Sequence, residues 1–207
     1  LTVIPGFIES HAHFFGLGQS KLTLDLTKAR NWDEIVEMVA QAAAQRPEGE
    51  WIIGRGWHQD KWDSAPQPSF EGLPLNDVLS RRTPQHPVLL THASGHACIA
   101  NARAMELAGV TSSTPDPEGG EIIRDSKRTP IGVFRENAQG LIDSALERSL
   151  ASRSAEQVEA DRREIVRLAS EECLSKGITT FHDAGASIET VEFLGRRYTG
   201  LMGAARQ

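Results

Sequence analysis

The 207-residue chain has an ordinary globular composition, with 39% hydrophobic and 24% charged residues and a net charge of −6. Acidic and basic residues are interspersed, so no basic patch indicates a nucleic-acid or anionic-membrane partner. No apolar stretch approaches the roughly 18 residues that a membrane span needs. Cys98 and Cys173 show no disulfide-framework or zinc-knuckle spacing, which favours a cytoplasmic protein.

The first segment predicts a buried strand that leads into two histidines. Residues 1–9 form a short apolar run with β-branched residues, and PGFIESHAHF places His11 and His13 one residue apart. In a strand, residues i and i+2 project from the same face, so both imidazoles would lie close enough to share one metal ion. His-x-His pairs also occur without a metal, so the spacing alone does not decide the question.

A helix and two strands are predicted next. Asn31 with Glu34 three residues later is a typical N-cap signal, and the apolar helical face after it stops at Pro47. The two strands are WIIGRGW at 51–57 and PVLLTH at 87–92, with a proline-rich irregular loop at 60–76 between them.

The second half of the chain begins with a hairpin and ends with helices around a strand. Asn101 caps a short helix, and GGEIIRDSKRTPIGVFRE predicts two strands joined by a polar turn at 125–130. Residues 137–150 are predicted helical, and Ser154 with Gln157 has capping-box spacing before a long helix. The last predicted elements are the strand ITTFHDAG, with a polar end, and a helix at about 187–198.

Two buried strands therefore end in polar residues, at His11 to His13 and at His182-Asp183. Buried strands with polar carboxyl ends, linked through helices, are typical of a parallel α/β sheet or barrel with its site at that end. This order makes a metal site more probable than the His-x-His spacing does by itself.

Six segments resemble the amidohydrolase superfamily, and within it the amidohydrolase-3, YtcJ-like branch. PGFIESHAHF matches the superfamily's first barrel strand. In order after it come WIIGRGW, PVLLTHASGHACIANARAMELAGV, TPDPEGGEIIRD, PIGVFRENA and GITTFHDAG. The resemblance extends from about Val3 to Gly185.

The resemblance implies a zinc-dependent hydrolase of C–N bonds, in amides or related acyl compounds, on a (β/α)8 TIM barrel. It implies that His11 and His13 are ligands of one or two divalent ions and that a metal-bound water attacks the carbonyl. The expected fold class is α/β, a partial TIM barrel with an inserted α+β region. The expected domains are the first barrel strand (1–19), the inserted region (20–150), and a barrel helix, second strand and following helix (151–207).

The chain departs from the family in its length. A complete barrel needs roughly 250 residues and eight strands, and the superfamily's other histidine ligands and its catalytic aspartate come from later strands that this sequence lacks. We therefore expect an amino-terminal fragment of a longer hydrolase, with an incomplete metal site. Glu136, in VFRENA, matches a glutamate typical of the branch and is a candidate metal ligand or pocket group.

Other side chains are candidate site residues, and each of them could have a structural role instead. His96 belongs to a Gly-His pair common to the branch and is either a pocket residue or a core histidine bonded to the backbone. Trp57 is a candidate pocket residue, although Trp51 and Trp57 lie an even number apart in a strand and could both be core. Asp183 could orient a ligand histidine or cap the next helix. Surface roles are expected for His58 and His92, and a structural role is expected for His182.

The sequence leaves several functional classes open. One is a metal-dependent amidohydrolase, another a catalytically inert chain whose inserted region is a folding or association module, and a third a structural metal site without hydrolysis. Two barrel strands without their neighbours would expose edges and apolar faces, so we expect a homo-oligomer that covers strands 3–11 and 178–183. The expected partner is a small-molecule amide or acyl substrate, whose identity depends on loops that one sequence does not reveal.

Overall fold

The structure, a computed structural model, describes residues 4–197. The chain divides into two compact units, here called the split unit (residues 1–22 and 154–207) and the inserted unit (residues 23–153). The elements in chain order are β1 (Phe7–Ala12), α1 (Phe14–Leu22), β2 (Leu24–Asp25), α2 (Trp32–Ala43), β3 (Ile52–Trp57), a 3-10 turn (Gln59–Lys61), β4 (Ser69–Phe70), β5 (Leu73–Pro74), α3 (Asp77–Arg82), β6 (Val88–His92), β7 (Ala97–Ala100), α4 (Ala102–Ala108), β8 (Gly120–Arg124), β9 (Pro130–Glu136), α5 (Gln139–Ala151), α6 (Ala155–Ser175), β10 (Ile178–Asp183) and α7 (Ile188–Arg197).

The split unit contains a parallel pair of strands, β1 and β10, as the polar strand ends predict. Ala12 lies opposite Asp183 in this pair. The long helix α6 begins at the predicted capping box, in which Ser154 and Gln157 bond each other's backbone reciprocally. A small core joins α1, α6 and α7, and its buried members are Phe14, Val166, Ala169, Cys173, Phe193 and Leu194.

The prediction of a buried first strand is wrong. Phe7 and Ile8 of β1 are 57% and 69% exposed, and residues 1–3 lie outside the described residues. Within residues 4–197 the only strand that pairs with β1 is β10. A strand in a two-stranded sheet keeps one open edge and uncovered surface, so its apolar side chains face solvent.

The inserted unit is built on a mixed sheet of six strands among the described residues, in the order β2-β3-β6-β7-β9-β8. β2, β3 and β6 run parallel, and β6, β7, β9 and β8 pair antiparallel. The last pair is the predicted hairpin, with Gly120 opposite Glu136. The predicted N-cap is also present, since the Asn31 side chain accepts the N–H of Glu34 at 2.8 Å.

Helices cover both faces of this sheet. Alternate strand residues such as Leu90 and Ile99 form one core with α2 and α3, while their neighbours Leu89 and Cys98 form another with α4 and α5. This alternation follows from the two-residue period of a strand. The inserted unit therefore has three layers and buries its own apolar side chains.

Seven elements were not predicted: α1, β2, the 3-10 turn, β4, β5, α3 and β7. Helix α1 contains two glycines in nine residues and lacks a strong apolar period, and β7 is only four residues long after a tight turn. Among the described residues, no helix combines the length and apolar composition that crossing a bilayer requires.

Candidate functional site

The two histidines of the His-x-His motif lie side by side at the carboxyl end of β1. His13 is the single residue between β1 and α1. The ring centroids of His11 and His13 are 5.5 Å apart, and the rings are nearly perpendicular. Both residues are exposed, and the main-chain N–H of His11 donates to the Glu9 carboxylate over 3.0 Å. Because a Zn–N bond is about 2.0–2.1 Å, two imidazoles at this spacing can reach one ion.

Asp183, at the end of β10, holds the start of α1. Its Oδ2 accepts the main-chain N–H of Phe14 at 2.9 Å, and its Oδ1 accepts that of Gly185 at 2.8 Å. The helix that follows Asp183 is capped instead by Ser187, whose Oγ accepts the N–H of Thr190. Asp183 is therefore a cap, but of a helix 169 residues earlier in the chain rather than the next one. Its other possible role, orienting a ligand histidine, stays a prediction.

Gly185 leaves space for the His13 ring. A Cβ on residue 185 would lie 2.7 Å from Nδ1 of His13, closer than side-chain atoms approach. The sequence analysis missed this residue, although its position two residues after Asp183 was a usable signal. The end of β10 thus shapes the surroundings of the histidine pair through a carboxylate and a glycine.

A cavity of about 250 Å³ opens beside the pair, and all of it lies in the split unit. Glu9, His11 and His13 line it on the polar side. The other lining residues are apolar or neutral: Ala12, Phe14, Leu17, Cys173 and Ile178. Burial raises the pKa of the Cys173 thiol, so the sulfur is protonated at neutral pH and forms part of the apolar wall. The sequence analysis named neither Glu9 nor Cys173 as a site residue.

The donor atoms of the split unit can be compared with what a metal site requires. A catalytic zinc takes about three protein ligands and a water, and within residues 4–197 no three His, Cys, Asp or Glu side chains form a metal-binding group. Imidazole nitrogen is nonetheless the donor that zinc and similar divalent ions prefer. The histidine pair therefore fits two positions of a coordination shell.

In the inserted unit, the structure brings together the two predicted residues His96 and Glu136. Nδ1 of His96 lies 3.0 Å from Oε2 of Glu136, and the N–H of Glu136 donates to the His96 carbonyl over 2.9 Å. Both side chains are exposed, at 70% and 57%, so a core role for His96 is wrong. Glu136 has a φ of 47°, a left-handed backbone that costs free energy for a non-glycine residue.

A short turn links His96 to the buried His92. Oγ of Ser94 accepts the N–H of His96 at 3.1 Å and lies 2.8 Å from Nδ1 of His92. His92 is 8% exposed, so the expected surface position is wrong. Burial, with a smaller contribution from the neighbouring His58, lowers the pKa of His92.

Trp57 is core rather than the wall of an open pocket. It is 1% exposed, and its Nε1–H donates to the Leu90 carbonyl over 2.9 Å. Its ring contacts His92 edge to face, with centroids 4.5 Å apart. Of the two roles that the sequence left open for Trp57, the geometry favours the core.

The comparisons with known proteins cover nearly the whole chain. Residues 1–195 match the model of the amidohydrolase family (Amidohydro_3). The chain is 34% identical to the amidohydrolase YtcJ of Bacillus subtilis, over 90% of this chain and 32% of that protein. It is 35% identical to LONG AFTER FAR-RED 3 of Arabidopsis thaliana, over 88% and 29%, and 29% identical to the N-substituted formamide deformylase of Arthrobacter pascens, over 94% and 34%.

Two solved structures have a fold similar to that of this chain. A metal-dependent hydrolase from Pyrococcus horikoshii superposes with a TM-score of 0.63 at 21% identity, over 95% of this chain and 35% of that one. One from Pyrococcus furiosus gives 0.61 at 22% identity, over 93% and 34%. This chain spans about a third of the length of these relatives. With its mixed α/β fold and a family match over residues 1–195, the chain belongs to the amidohydrolase family.

Proposed function

We propose that this chain is part of a metal-dependent hydrolase that cleaves C–N bonds in amide or related acyl substrates, and that His11 and His13 bind zinc. The observation that carries the proposal is the pair of exposed imidazoles, 5.5 Å apart at the carboxyl end of β1. The pair lies in a chain of the amidohydrolase family whose relatives include hydrolases.

The chain's own residues would hold and shape this site. A bound divalent ion supplies Lewis acidity for the carbonyl and lowers the pKa of water. His11 and His13 bind the ion through imidazole nitrogen, and Asp183 fixes the backbone that follows His13 by capping Phe14. The apolar wall of the cavity excludes bulk water from the substrate.

Glu136 remains a proposed pocket group or further ligand. Its carboxylate already bonds His96 in the inserted unit, so direct metal binding would replace or share that bond. His96 is proposed as a pocket residue. The substrate is a small molecule, and the name of one relative makes an N-substituted formamide a reasonable first test.

The whole protein's architecture is part of the proposal. The parallel pair β1 and β10, with α6 preceding β10 in the chain, supports the first turns of a (β/α)8 barrel. We propose that further ligands and a catalytic aspartate lie on other barrel strands, that a homo-oligomer covers the exposed strands of the isolated chain, and that the protein is cytoplasmic.

A second candidate function is favoured by one observation. Within the described residues, no group of three potential ligands is present, whereas the inserted unit has a substantial core of its own. The chain by itself would then be catalytically inert, with the inserted unit acting as a folding or association module.

Metal analysis of the purified chain separates these candidates. We expect the wild type to bind zinc weakly and saturably in equilibrium dialysis, as two imidazole ligands allow, and the double variant His11→Ala, His13→Ala to lose that binding. His182→Ala is the matched control, because His182 is also exposed and lies on the neighbouring strand. Equal zinc content in the double variant and the wild type would contradict the assignment of the pair.

A further inference from the structure

The turn between β6 and β7 joins a buried histidine to an exposed one. His92 ends β6 and is 8% exposed, whereas the side chain of His96, just before β7, is 70% exposed. Ser94 lies between them, with its Oγ 2.8 Å from Nδ1 of His92 and accepting the main-chain N–H of His96 at 3.1 Å. One hydroxyl group therefore connects the interior of the inserted unit with the exposed pair of His96 and Glu136.

The hydrogen bonds around His92 assign its protonation state. The main-chain N–H of Ser94 donates to Nδ1 of His92 over 3.1 Å. Because an N–H is always a donor, Nδ1 carries no proton, and neutral His92 carries its proton on Nε2. The O–H of Ser94 then donates to Nδ1 as well. These three bonds thus have a fixed direction, from the N–H of His96 to Ser94 Oγ and from both Ser94 donors to His92.

Protonation of His92 conflicts with this arrangement. A proton on Nδ1 would face the main-chain N–H of Ser94 across 3.1 Å, so that two donors would point at each other. The hydroxyl of Ser94 can rotate and accept from Nδ1–H, but the main-chain N–H of Ser94 then loses its acceptor. The main chain at Ser94 must therefore move away from the ring when the imidazolium forms.

The groups packed against His92 set the pH at which it gains a proton. From β3, the uncharged Trp57 ring contacts it edge to face, with centroids 4.5 Å apart, and the His58 ring that follows lies at 4.7 Å. Burial and the neighbouring His58 lower the pKa of His92, while Asp60 of the 3-10 turn acts in the opposite direction. His92 is therefore neutral at pH 7 and gains a proton only as the pH falls below about 6.5.

The far end of the turn presents His96 to Glu136. Nδ1 of His96 is 3.0 Å from Oε2 of Glu136, but such an exposed pair contributes little free energy by itself, so it depends on how the backbone holds the two residues. The N–H of Glu136 donates to the His96 carbonyl, and the His96 N–H donates to Ser94. The guanidinium of Arg55 in β3 also approaches the turn, since a Cβ on Gly95 would lie 3.9 Å from one of its nitrogens.

We propose that Ser94 is a positioning residue that couples the protonation of His92 to the pair of His96 and Glu136. When Nδ1 of His92 gains a proton, the main chain at Ser94 moves, the N–H of His96 loses the hydroxyl as its acceptor, and the contact between His96 and Glu136 opens. The turn 92–96 thus acts as a pH-sensitive switch that keeps the pair closed at neutral pH. The coupling is measurable without hydrolysis, whereas its use in regulating a substrate pocket rests on the proposed function.

A pH titration of the full chain by NMR tests the coupling. The ring signals of labelled histidine give the titration midpoint of each histidine between about pH 8 and 5, and amide signals report on the main chain of the turn and of Glu136. We expect the amides of Ser94, His96 and Glu136 to shift with the midpoint of the His92 ring, in addition to any shift with the His96 ring.

Four variants separate the coupling from a merely structural role of the turn. His92→Asn keeps an acceptor near the position of Nδ1 but does not titrate, so all three amides should lose the shift at the His92 midpoint. In Ser94→Ala the His92 ring should still titrate, while its midpoint disappears from the amides of His96 and Glu136. Ser94→Thr retains the hydroxyl and should restore it. Ser113→Ala is the control, because Ser113 lies in another exposed turn of the inserted unit, and all shifts should remain.

Three results would overturn the proposal. One is that the amides of His96 and Glu136 follow only the His96 ring in the wild type. Another is that these amides still shift at the His92 midpoint in Ser94→Ala. The third is that His92 stays neutral down to the pH at which the inserted unit unfolds, since the switch would then never operate in the native protein.

Discussion

The two units differ in how completely they bury their apolar side chains. In the inserted unit, the central strands carry Leu90 and Ile99 with no exposed surface. In the split unit, Ile8 of β1 and Ile188 of α7 are 69% and 79% exposed. Apolar area left in water forgoes about 25 cal/mol per Å². The inserted unit thus buries its own apolar side chains, whereas the split unit leaves several of them exposed.

The same difference separates the two kinds of candidate site. The histidine pair lies on the strand with an open edge, where only two possible ligands are close together. The cluster of His92 with His58, Trp57 and Trp62 lies inside the three-layer inserted unit. A metal at the histidine pair would need further protein ligands, whereas the cluster around His92 is already enclosed by its own unit.

The largest expected effect is on the free energy of unfolding, when the loss of one core side chain is compared with the loss of one exposed side chain. Phe134→Ala in β9, where the ring is 0% exposed, should lower the free energy of unfolding by about 3–5 kcal/mol. Ile8→Ala should change it by less than about 0.5 kcal/mol. Urea unfolding followed by tryptophan fluorescence measures the effect of Phe134→Ala on the inserted unit, since all four tryptophans lie within residues 23–153. Unfolding followed by far-UV circular dichroism, which reports the helices of both units, measures the effect of Ile8→Ala.

The contrast between the two units would be stronger if the inserted unit folded without the split unit. We expect a chain of residues 23–153 to unfold with nearly the same midpoint as the full chain. A midpoint that falls sharply on removal of the split unit would break the comparison, because the inserted core would then depend on residues outside it.

The next effect lies inside the split unit, where one close contact can be tested. A Cβ on Gly18 of α1 would lie 2.1 Å from the main-chain oxygen of Ile165 in α6. Gly18→Ala should therefore force the helices apart, at a cost of about 1–3 kcal/mol. Hydrogen exchange of the α6 amides should increase accordingly.

Gly16→Ala is the matched control in the same helix. Its Cβ would meet only the His13 Cβ at 3.5 Å, an ordinary contact, and alanine favours a helix by about 1 kcal/mol over glycine. Protection of α6 should therefore be unchanged or higher. Similar loss of protection in both variants would show that the split unit responds to any change in α1 rather than to the contact at residue 18.

Local sequence signals predicted most of the elements correctly. The cap at Asn31, the capping box at Ser154 and Gln157, and the hairpin around residues 125–130 each depend on residues within a few positions of one another. Such interactions have a fixed spacing, so a single sequence contains them. Helix α1 was missed because its glycines weaken the local signal, although packing against α6 stabilises it.

The candidate sites were only partly predictable, because several of their contacts join residues that are far apart in the sequence. His11 and His13 could be predicted to lie together because they share a strand. The bond between His96 and Glu136 joins residues 40 positions apart, and that between Asp183 and Phe14 joins residues 169 apart. Burial of His92 likewise depends on contacts with Trp57 and His58, which lie more than 30 residues earlier in the chain. No local pattern encodes such contacts, so they require the folded structure.

The smallest expected effect is a pH dependence confined to the inserted unit. The pKa of His92 is lowered in the folded state, while an unfolded histidine titrates near 6.5. Between the lowered pKa and about 6.5 the unfolded chain binds more protons, so stability is full above this window and decreases as the pH falls through it. Protonation would also place a proton on Nδ1, which already accepts the Ser94 N–H.

Fluorescence-monitored urea unfolding at several pH values between about 7.5 and 5 measures this effect. His92→Gln should lose part of the decrease in stability that the wild type shows at low pH, because glutamine does not titrate. His96→Ala, an exposed histidine four residues away, should keep the wild-type pH dependence. Parallel curves for His92→Gln and the wild type would mean that burial in the inserted unit does not shift the titration of His92, and the contrast between an enclosed and an open site would lose this support.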